Sequence, residues 1–428
     1  MTEEKITERN PWAWVPSLYY AEGIPYILVM TVSVLFYKQM GLSNTQIAFY
    51  TSWFYLPWVI KPLWSPVVDL FKTKRIWIFL MQFIIGVGLG GLALVIPLAN
   101  YLKYSMIFFW LVAFSSATHD IAADGFYMLG LSQKHQSFFI GIRTLFYRLA
   151  MISGQGAFII LAGYLQTKTK NIPVAWSYSF LIPAVLFVIF SLYHKIILPH
   201  SKFDTRQISS RSEYFIKEFF RTFALFFKKK SILLTLGFLL IYRLGEAQLI
   251  KISLLFLKES TLKGGLGLSV EQIGLVYGTI GLISLILGGI LGGYLASKDG
   301  LKKWIWWMFA AINIPHVLYI YLSFVQPSNL VIINLCVAGE QLGYGFGFTA
   351  YMLYMIYVSE GNFKTVHYAI CTGVMALGMM IPGMFSGWIQ ETLGYRYFFI
   401  WIFLTMIPGY FVIKAINIEP DFGKKTEN

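Results

Sequence analysis

Twelve apolar runs, each of about 20 residues or more, fill most of this 428-residue sequence and fix its fold class before any single side chain is weighed. Such a run matches the hydrocarbon thickness of a bilayer. Inside lipid every backbone N–H and C=O has to be bonded within the protein, so runs of this length fold as transmembrane helices. Only 13% of the residues are charged, against roughly 25% in soluble domains. The runs cover residues 12–37, 45–66, 76–98, 105–129, 138–165, 177–196, 231–257, 270–296, 303–324, 329–357, 364–390 and 396–415. The expected fold is an all-α integral membrane bundle.

The net charge of +14 is a topological signal. Most Lys and Arg fall before the first run, in the even-numbered connections and after the last run, which places both termini in the cytoplasm by the positive-inside rule. Basic residues so distributed serve orientation and anionic headgroups, so no nucleic-acid partner is expected. Residues 1–10 are polar and the first run is long enough to span, so no cleavable signal peptide is expected either. Cys336 and Cys371 fall in separate runs and form no spaced framework, which points to neither a disulfide nor a metal, and no cofactor is expected. In the longest connection Phe215, Phe219, Phe223 and Phe226 share one side of a helix over 212–227, with Glu213, Lys217 and Arg221 on another. That pattern predicts a helix lying on the inner leaflet. The domains expected are an N-terminal six-helix bundle (1–197), a cytoplasmic linker (198–230) and a C-terminal six-helix bundle (231–428).

The halves repeat each other. Gly41-Leu42-Ser43 with Gln46 before the second run recurs as Gly267-Leu268-Ser269 with Gln272 before the eighth, and each has capping-box spacing after a glycine turn. Gly163 to Gln166, closing the fifth run, matches Gly387 to Gln390, closing the eleventh. Two six-helix repeats in one orientation are what a major-facilitator-type transporter is built from. The loop after the eighth run resembles that superfamily's signature, with Gly293, Ser297 where the family has Asp, Lys298 and Gly300 at the matching positions. After the second run Asp69, Lys72, Lys74 and Arg75 keep the acid and the bases without the glycines. An acid at one helix end facing bases on the next can latch the inner face in one conformation and release it in another. Plain positive-inside anchoring also accounts for the bases.

Charges inside the apolar runs are the candidate functional residues, because a charge at mid-bilayer costs about 2.5–3.5 kcal/mol even on the mildest scale. Asp120 and Asp124 are four apart and share a helix face, with His119 beside them and Arg143 and Arg148 a helix later. The first run holds Tyr20 and Glu22 next to Gly23 and Pro25, which can bend it. The seventh holds Arg243 and Glu246, with Lys251 further on. The tenth holds Glu340, Gln341 and Tyr344. Structural alternatives stand beside each. Arg243 can neutralise Glu246, and Asp120 and Asp124 can pair with Arg143 or Arg148 only to hold helices together. His119, His316 and His367 can be satisfied interior histidines, and Lys61 can snorkel as an anchor.

Gly23-Ile24-Pro25, Pro62 to Asp69, Ser116 to Asp124, Tyr147-Arg148, Gly339 to Ala350 and Gly383 to Gly394 together resemble the AmpG-type muropeptide permeases. Those belong with the acetyl-coenzyme A transporters in one branch of the major facilitator superfamily. The resemblance implies a monomeric permease of the bacterial inner membrane. It would import anhydro-muropeptide or its amino-sugar disaccharide with protons, for cell-wall recycling. It also implies a central cavity lined by the first, fourth, seventh and tenth helices. This chain departs from the family's pattern at His119, Glu22 and Gly125-Phe126, and in having no long C-terminal extension.

The mechanism expected is proton-coupled symport. Asp120, Asp124, Arg148 and His119 are assigned to coupling, with protonation of either Asp loosening its pairing to Arg148. Glu22, Tyr20, Arg243, Glu246, Glu340, Gln341 and Tyr344 are assigned to the substrate, with Arg243 for a carboxylate and Glu22, Glu340 and Gln341 for sugar hydroxyls or a peptide amine. Two rivals come from other classes. A membrane prenyl-transfer enzyme would hold magnesium on Asp120 and Asp124 but needs a second acidic motif. A transporter-like sensor would need a signalling domain.

Overall fold

The structure, a computed structural model, describes residues 9–131, 133–199, 221–361 and 363–424. Both capping boxes form. Ser43 and Ser269 each accept from the backbone N–H of the residue three on, and the Gln46 and Gln272 side chains return the bond. The second helix, α2, therefore starts at Asn44 and the eighth, α8, at Val270.

Twelve helical spans follow in order. The first, α1, comprises Val15–Ile27, a wide turn at Leu28–Val32 and Ser33–Gln39. In α2, Asn44–Trp53 and Leu56–Leu70 meet at a break. Then come α3 (Lys74–Val95), α4 (Tyr101–Gly130), α5 (Gln133–Ile152 running on through Phe158–Thr169) and α6 (Ile172–Ile197). In the second half α7 is Ile232–Ile241 and Leu244–Lys258, α8 runs from Val270 to Asp299, α9 is Leu301–Asn313 with His316–Val325, and α10 is Leu330–Ser359. Residues 364–404 form one long helical run broken at Gly394 (φ 70°), which separates α11 from α12, and α12 ends in Met406–Ala415. Among the described residues ten helices are long and apolar enough to cross a bilayer; the longest holds both α11 and α12, and the bent α2 is not one of the ten. The helix expected over 212–227 lies mostly outside the described residues, with residues 221–227 helical.

Large apolar side chains point outward along these helices, Leu233, Leu94 and Ile196 among them. That is the surface of a protein whose solvent is lipid, where apolar exposure costs nothing. Helix contacts instead rely on small residues. A methyl added at Gly288 of α8 would fall on the Leu342 carbonyl of α10, and one at Gly345 of α10 would fall on the Leu285 carbonyl of α8. At Gly343 and Gly347 it would meet the Ala311 carbonyl and Ile312 of α9. So α10, which carries Glu340, Gln341 and Tyr344, is seated in backbone contact with both neighbours.

The contacts group the chain into two compact units, Met1–Val32 with Ile60–Phe219, and Ser33–Val59 with Phe220–Asn428. The first has a core around Trp14, Tyr19, Phe126 and Tyr127. The second has one around Phe238, Tyr242, Tyr351 and Tyr354, where the Phe238 and Tyr354 ring centroids stand 4.1 Å apart.

Candidate functional site

In the first unit, α4 presents Asp120 and Asp124 on one face as their spacing requires. Asp124 accepts from Arg143 of α5 at 2.9 Å and from the Tyr19 hydroxyl of α1 at 3.2 Å. The Arg143 guanidinium lies over the rings of Tyr19 (4.4 Å) and Tyr127 (5.0 Å), which fixes its plane by cation–π contact. Asp120 pairs with Lys61 of α2 at 3.5 Å. Glu22 stands within electrostatic reach of both aspartates and both cations, and its buried Oε2 has no hydrogen-bond partner. Gly23 brings this part of α1 onto α5, since a methyl there would come 2.8 Å from the Ala150 side chain.

His119 turns away from that group into a buried polar chain. The Gln82 amide nitrogen on α3 donates to His119 Nε2 at 2.9 Å, while its carbonyl oxygen accepts from His194 Nδ1 of α6 at 2.9 Å. The Ser17 hydroxyl of α1 meets His194 Nε2 at 3.0 Å. An imidazole that accepts at Nε2 is neutral. Tyr20 packs edge-on against Phe190, centroids 6.2 Å apart. Arg148 is half-buried, and among the described residues no carboxylate pairs with it.

The second unit holds another polar group. Between Ile241 and Leu244 the α7 helix is interrupted, and Arg243 takes the non-helical pair φ −111°, ψ 23°. Its guanidinium donates to the Tyr344 hydroxyl and lies 4.6 Å from the Phe348 ring centre and 5.5 Å from that of Tyr351. Residues 344, 348 and 351 share one face of α10, so helical periodicity builds this cradle. The Arg243 Nε is buried without a partner. Glu246 meets His316 Nε2 of α9 at 3.5 Å instead of Arg243. Glu340 Oε2 accepts from the Gln341 amide at 2.9 Å. Lys251, 1% exposed, donates to the Thr51 hydroxyl at 3.0 Å and lies 5.2 Å over the Tyr55 ring.

Around the expected latch, the Asp69 side chain lies outside the described residues. Lys72 sits in the turn after α2 with φ 65°. Lys74 is buried with its Cε 2.8 Å from where a methyl on Gly125 would stand. Arg75 donates to the Leu198 carbonyl at 3.1 Å and to that of Lys195, so it caps the end of α6. In the second loop Gly293 faces open space and Ser297 donates to the Tyr294 carbonyl at 2.7 Å. Lys298 is exposed, and Gly300 ends α8 at φ 87°. The neighbouring Asp299 takes the Lys303 ammonium and the Trp304 indole, each at 3.0 Å. Leu301 N–H donates to the Phe422 carbonyl at 2.9 Å, so the stretch around residue 422 lies over this turn.

Lys61, Tyr19 and His316 are the participants that sequence reasoning undervalued. A lysine one turn inside an apolar run and just before Pro62 was a legible signal for a partner. The other two only become participants once tertiary contacts form. Among the described residues no three His, Cys, Asp or Glu side chains gather as a metal site.

Comparison with known proteins gives this geometry a family. The profile of the Major Facilitator Superfamily matches residues 21–363. The anhydromuropeptide permease of Escherichia coli is 23% identical over 96% of this chain and 80% of its own length. A transporter of Rickettsia conorii that carries the AmpG name is 24% identical over 93% of this chain and 94% of its own. Among solved structures, a crystallised nucleoside transporter superposes with a TM-score of 0.72 at 14% identity, covering 95% of this chain and all of the other. At that identity the likeness is one of fold.

Proposed function

The chain belongs to the major facilitator superfamily, a family of transporters and not of enzymes, and from that membership we propose that it imports anhydro-muropeptides or their GlcNAc-anhydroMurNAc disaccharide by proton-coupled alternating access. The observation that carries the reading is similarity to an anhydromuropeptide permease along nearly the whole chain. It acts in the bacterial inner membrane with both termini cytoplasmic, a reading that the basic connections support.

The substrate is an amphiphile of hydroxyls, amides and carboxylates. In the second unit Arg243, with its free Nε and aromatic cradle, suits a lactyl or peptide carboxylate. Glu340 and Gln341 on α10 and Glu22 on α1 offer acceptors and a donor to sugar hydroxyls or a peptide amine. In the first unit, a proton on Asp124 cancels the charge that holds Arg143. The guanidinium is then free to leave, and α4 and α5 can separate.

The test is uptake of labelled GlcNAc-anhydroMurNAc, with and without its peptide, into vesicles carrying an imposed proton gradient. Gradient-dependent uptake by the intact protein and its loss in Asp124→Asn are expected. Full proton-driven uptake by that variant would remove Asp124 from coupling, and no uptake by folded protein would move the substrate to another solute class.

A further inference from the structure

Lys251 of α7 is a buried cation that neither the ion pairs of the first unit nor the Arg243 cradle uses. Lys38, Lys61 and Arg143 are more open, and each is paired with an acid. Lys251 is almost wholly buried, and among the described residues no carboxylate pairs with it. Its ammonium donates to the Thr51 hydroxyl at 3.0 Å and lies 5.2 Å from the centre of the Tyr55 ring, both at the break of α2 after Trp53. The next hydroxyl along, Ser52 Oγ, is buried with no hydrogen-bond partner. Gly383 of α11 closes the third side, since a methyl there would stand 2.8 Å from Ser52 Oγ and 3.5 Å from Lys251 Cγ.

A dry ammonium with three donors calls for a counter-anion, and one neutral hydroxyl is a poor substitute. The place of Lys251 along α7 names the anion. It follows Arg243 by eight residues, about 12 Å along the axis at roughly 1.5 Å per residue. On the topology proposed above, Lys251 is the outer of the two cations and Arg243 the inner. The lactyl group of the bare disaccharide offers one carboxylate, which one cation satisfies. A peptide stem joins that lactyl carboxyl as an amide and brings carboxylates of its own further out. At about 3.3 Å per extended residue, a stem of four residues covers the distance between the two cations.

We propose that Lys251 is a specificity-determining residue that takes a peptide carboxylate of the incoming solute, and that the Thr51 hydroxyl is the stand-in this carboxylate displaces. Thr51 and Tyr55 belong by chain order to the first six-helix half, although their segment groups with the second unit. When the halves part, hydroxyl and ring leave Lys251 together, and the ammonium is uncovered with no acid of the protein to meet it. The carboxylate then replaces a neutral acceptor by a charged one, and no covalent bond changes. The inference rests on the muropeptide reading above and adds to it a preference for the acidic, peptide-bearing form.

Three labelled solutes test it in vesicles carrying an imposed proton gradient: GlcNAc-anhydroMurNAc, its peptide-bearing form, and that form with every peptide carboxyl converted to a carboxamide. In the intact protein, amidation is expected to raise the concentration for half-maximal uptake about thirtyfold, the loss that follows removal of one partner of a buried charge pair. Lys251→Met is expected to handle the acid and the amide alike. Full discrimination in that variant gives the carboxylate to Arg243 and overturns the assignment. Acid and amide handled alike by the intact protein overturn it with no variant at all, so the outcome does not depend on whether Lys251→Met folds. Intact protein that takes up none of the three solutes refutes the muropeptide reading itself, whereas uptake of all three with no difference between acid and amide refutes the role of Lys251 alone.

Discussion

At the scale of the residue, the first-unit charges are two ion pairs of unequal dryness. Lys61 and Asp120 keep 26% and 15% of their side chains exposed, while Arg143 and Asp124 keep 28% and 44%. Removing one partner of a drier pair strands a charge, which costs more than breaking an open one. Lys61→Met is therefore expected to destabilise by about 1–2 kcal/mol, and Lys61→Met with Asp120→Asn to recover most of that. Arg143→Met should cost about 1 kcal/mol or less through its charge. Thermal unfolding in detergent reads the cycle, and equal losses for both cations would show that dryness is not what separates the pairs. The acids of this group were legible in the sequence because a charge inside an apolar run announces itself. Their partners were not. Arg143 and Arg148 differ by five positions on α5, and only the packed helix shows that Arg143 meets Asp124 while Arg148 does not.

At the scale of the element, α10 depends on glycines that the sequence shows only as residues. Gly345 and Gly288 put the backbones of α10 and α8 in contact, and no side-chain motion relieves a methyl placed on a carbonyl. Gly345→Ala is expected to cost about 3 kcal/mol, at the upper end for overpacking, and to displace Tyr344 and with it the Arg243 cradle. Gly293→Ala is the contrast, since nothing stands within 4 Å of its added methyl and Ala is the better helix former by about 1 kcal/mol. Thermal stability should fall in the first variant and hold or rise in the second. A transport defect in a stable Gly293→Ala protein would point to the loop it belongs to. Helix starts were readable because caps are local chemistry. The interruptions at Leu28–Val32 and Arg243 were hinted at by Gly23, Pro25 and Gly245, but their positions depend on tertiary packing.

At the scale of the whole molecule, chain order and contact grouping divide the protein differently. The expected division falls in the linker after residue 197, yet Ser33–Val59 groups with the second unit. Both crossings lie close to backbone irregularities, the wide turn Leu28–Val32 in α1 and the break after Trp53 in α2. Between those points the chain is held inside the second unit by polar contacts. Asn44 donates to Gln390 at 2.5 Å and to the Tyr395 hydroxyl at 2.9 Å, and Lys38 meets Glu259 at 2.5 Å. Burial by itself raises the Glu259 carboxyl, but the hydrogen bond and charge of Lys38 hold it below the usual carboxylate range. A carboxyl lowered on folding stabilises the protein above its unfolded pKa of about 4.3, and that stabilisation disappears as pH falls through the lowered value. A Lys38→Ala, Glu259→Gln double-mutant cycle should therefore give a coupling of about 1 kcal/mol at pH 7 that fades under acid. If six-and-six bundles move past each other during transport, these contacts part in every cycle. Each single variant should then change the transport rate in the direction that favours the parted state, and a coupling that is the same at pH 7 and in acid would show that the pair is not the ionic tie.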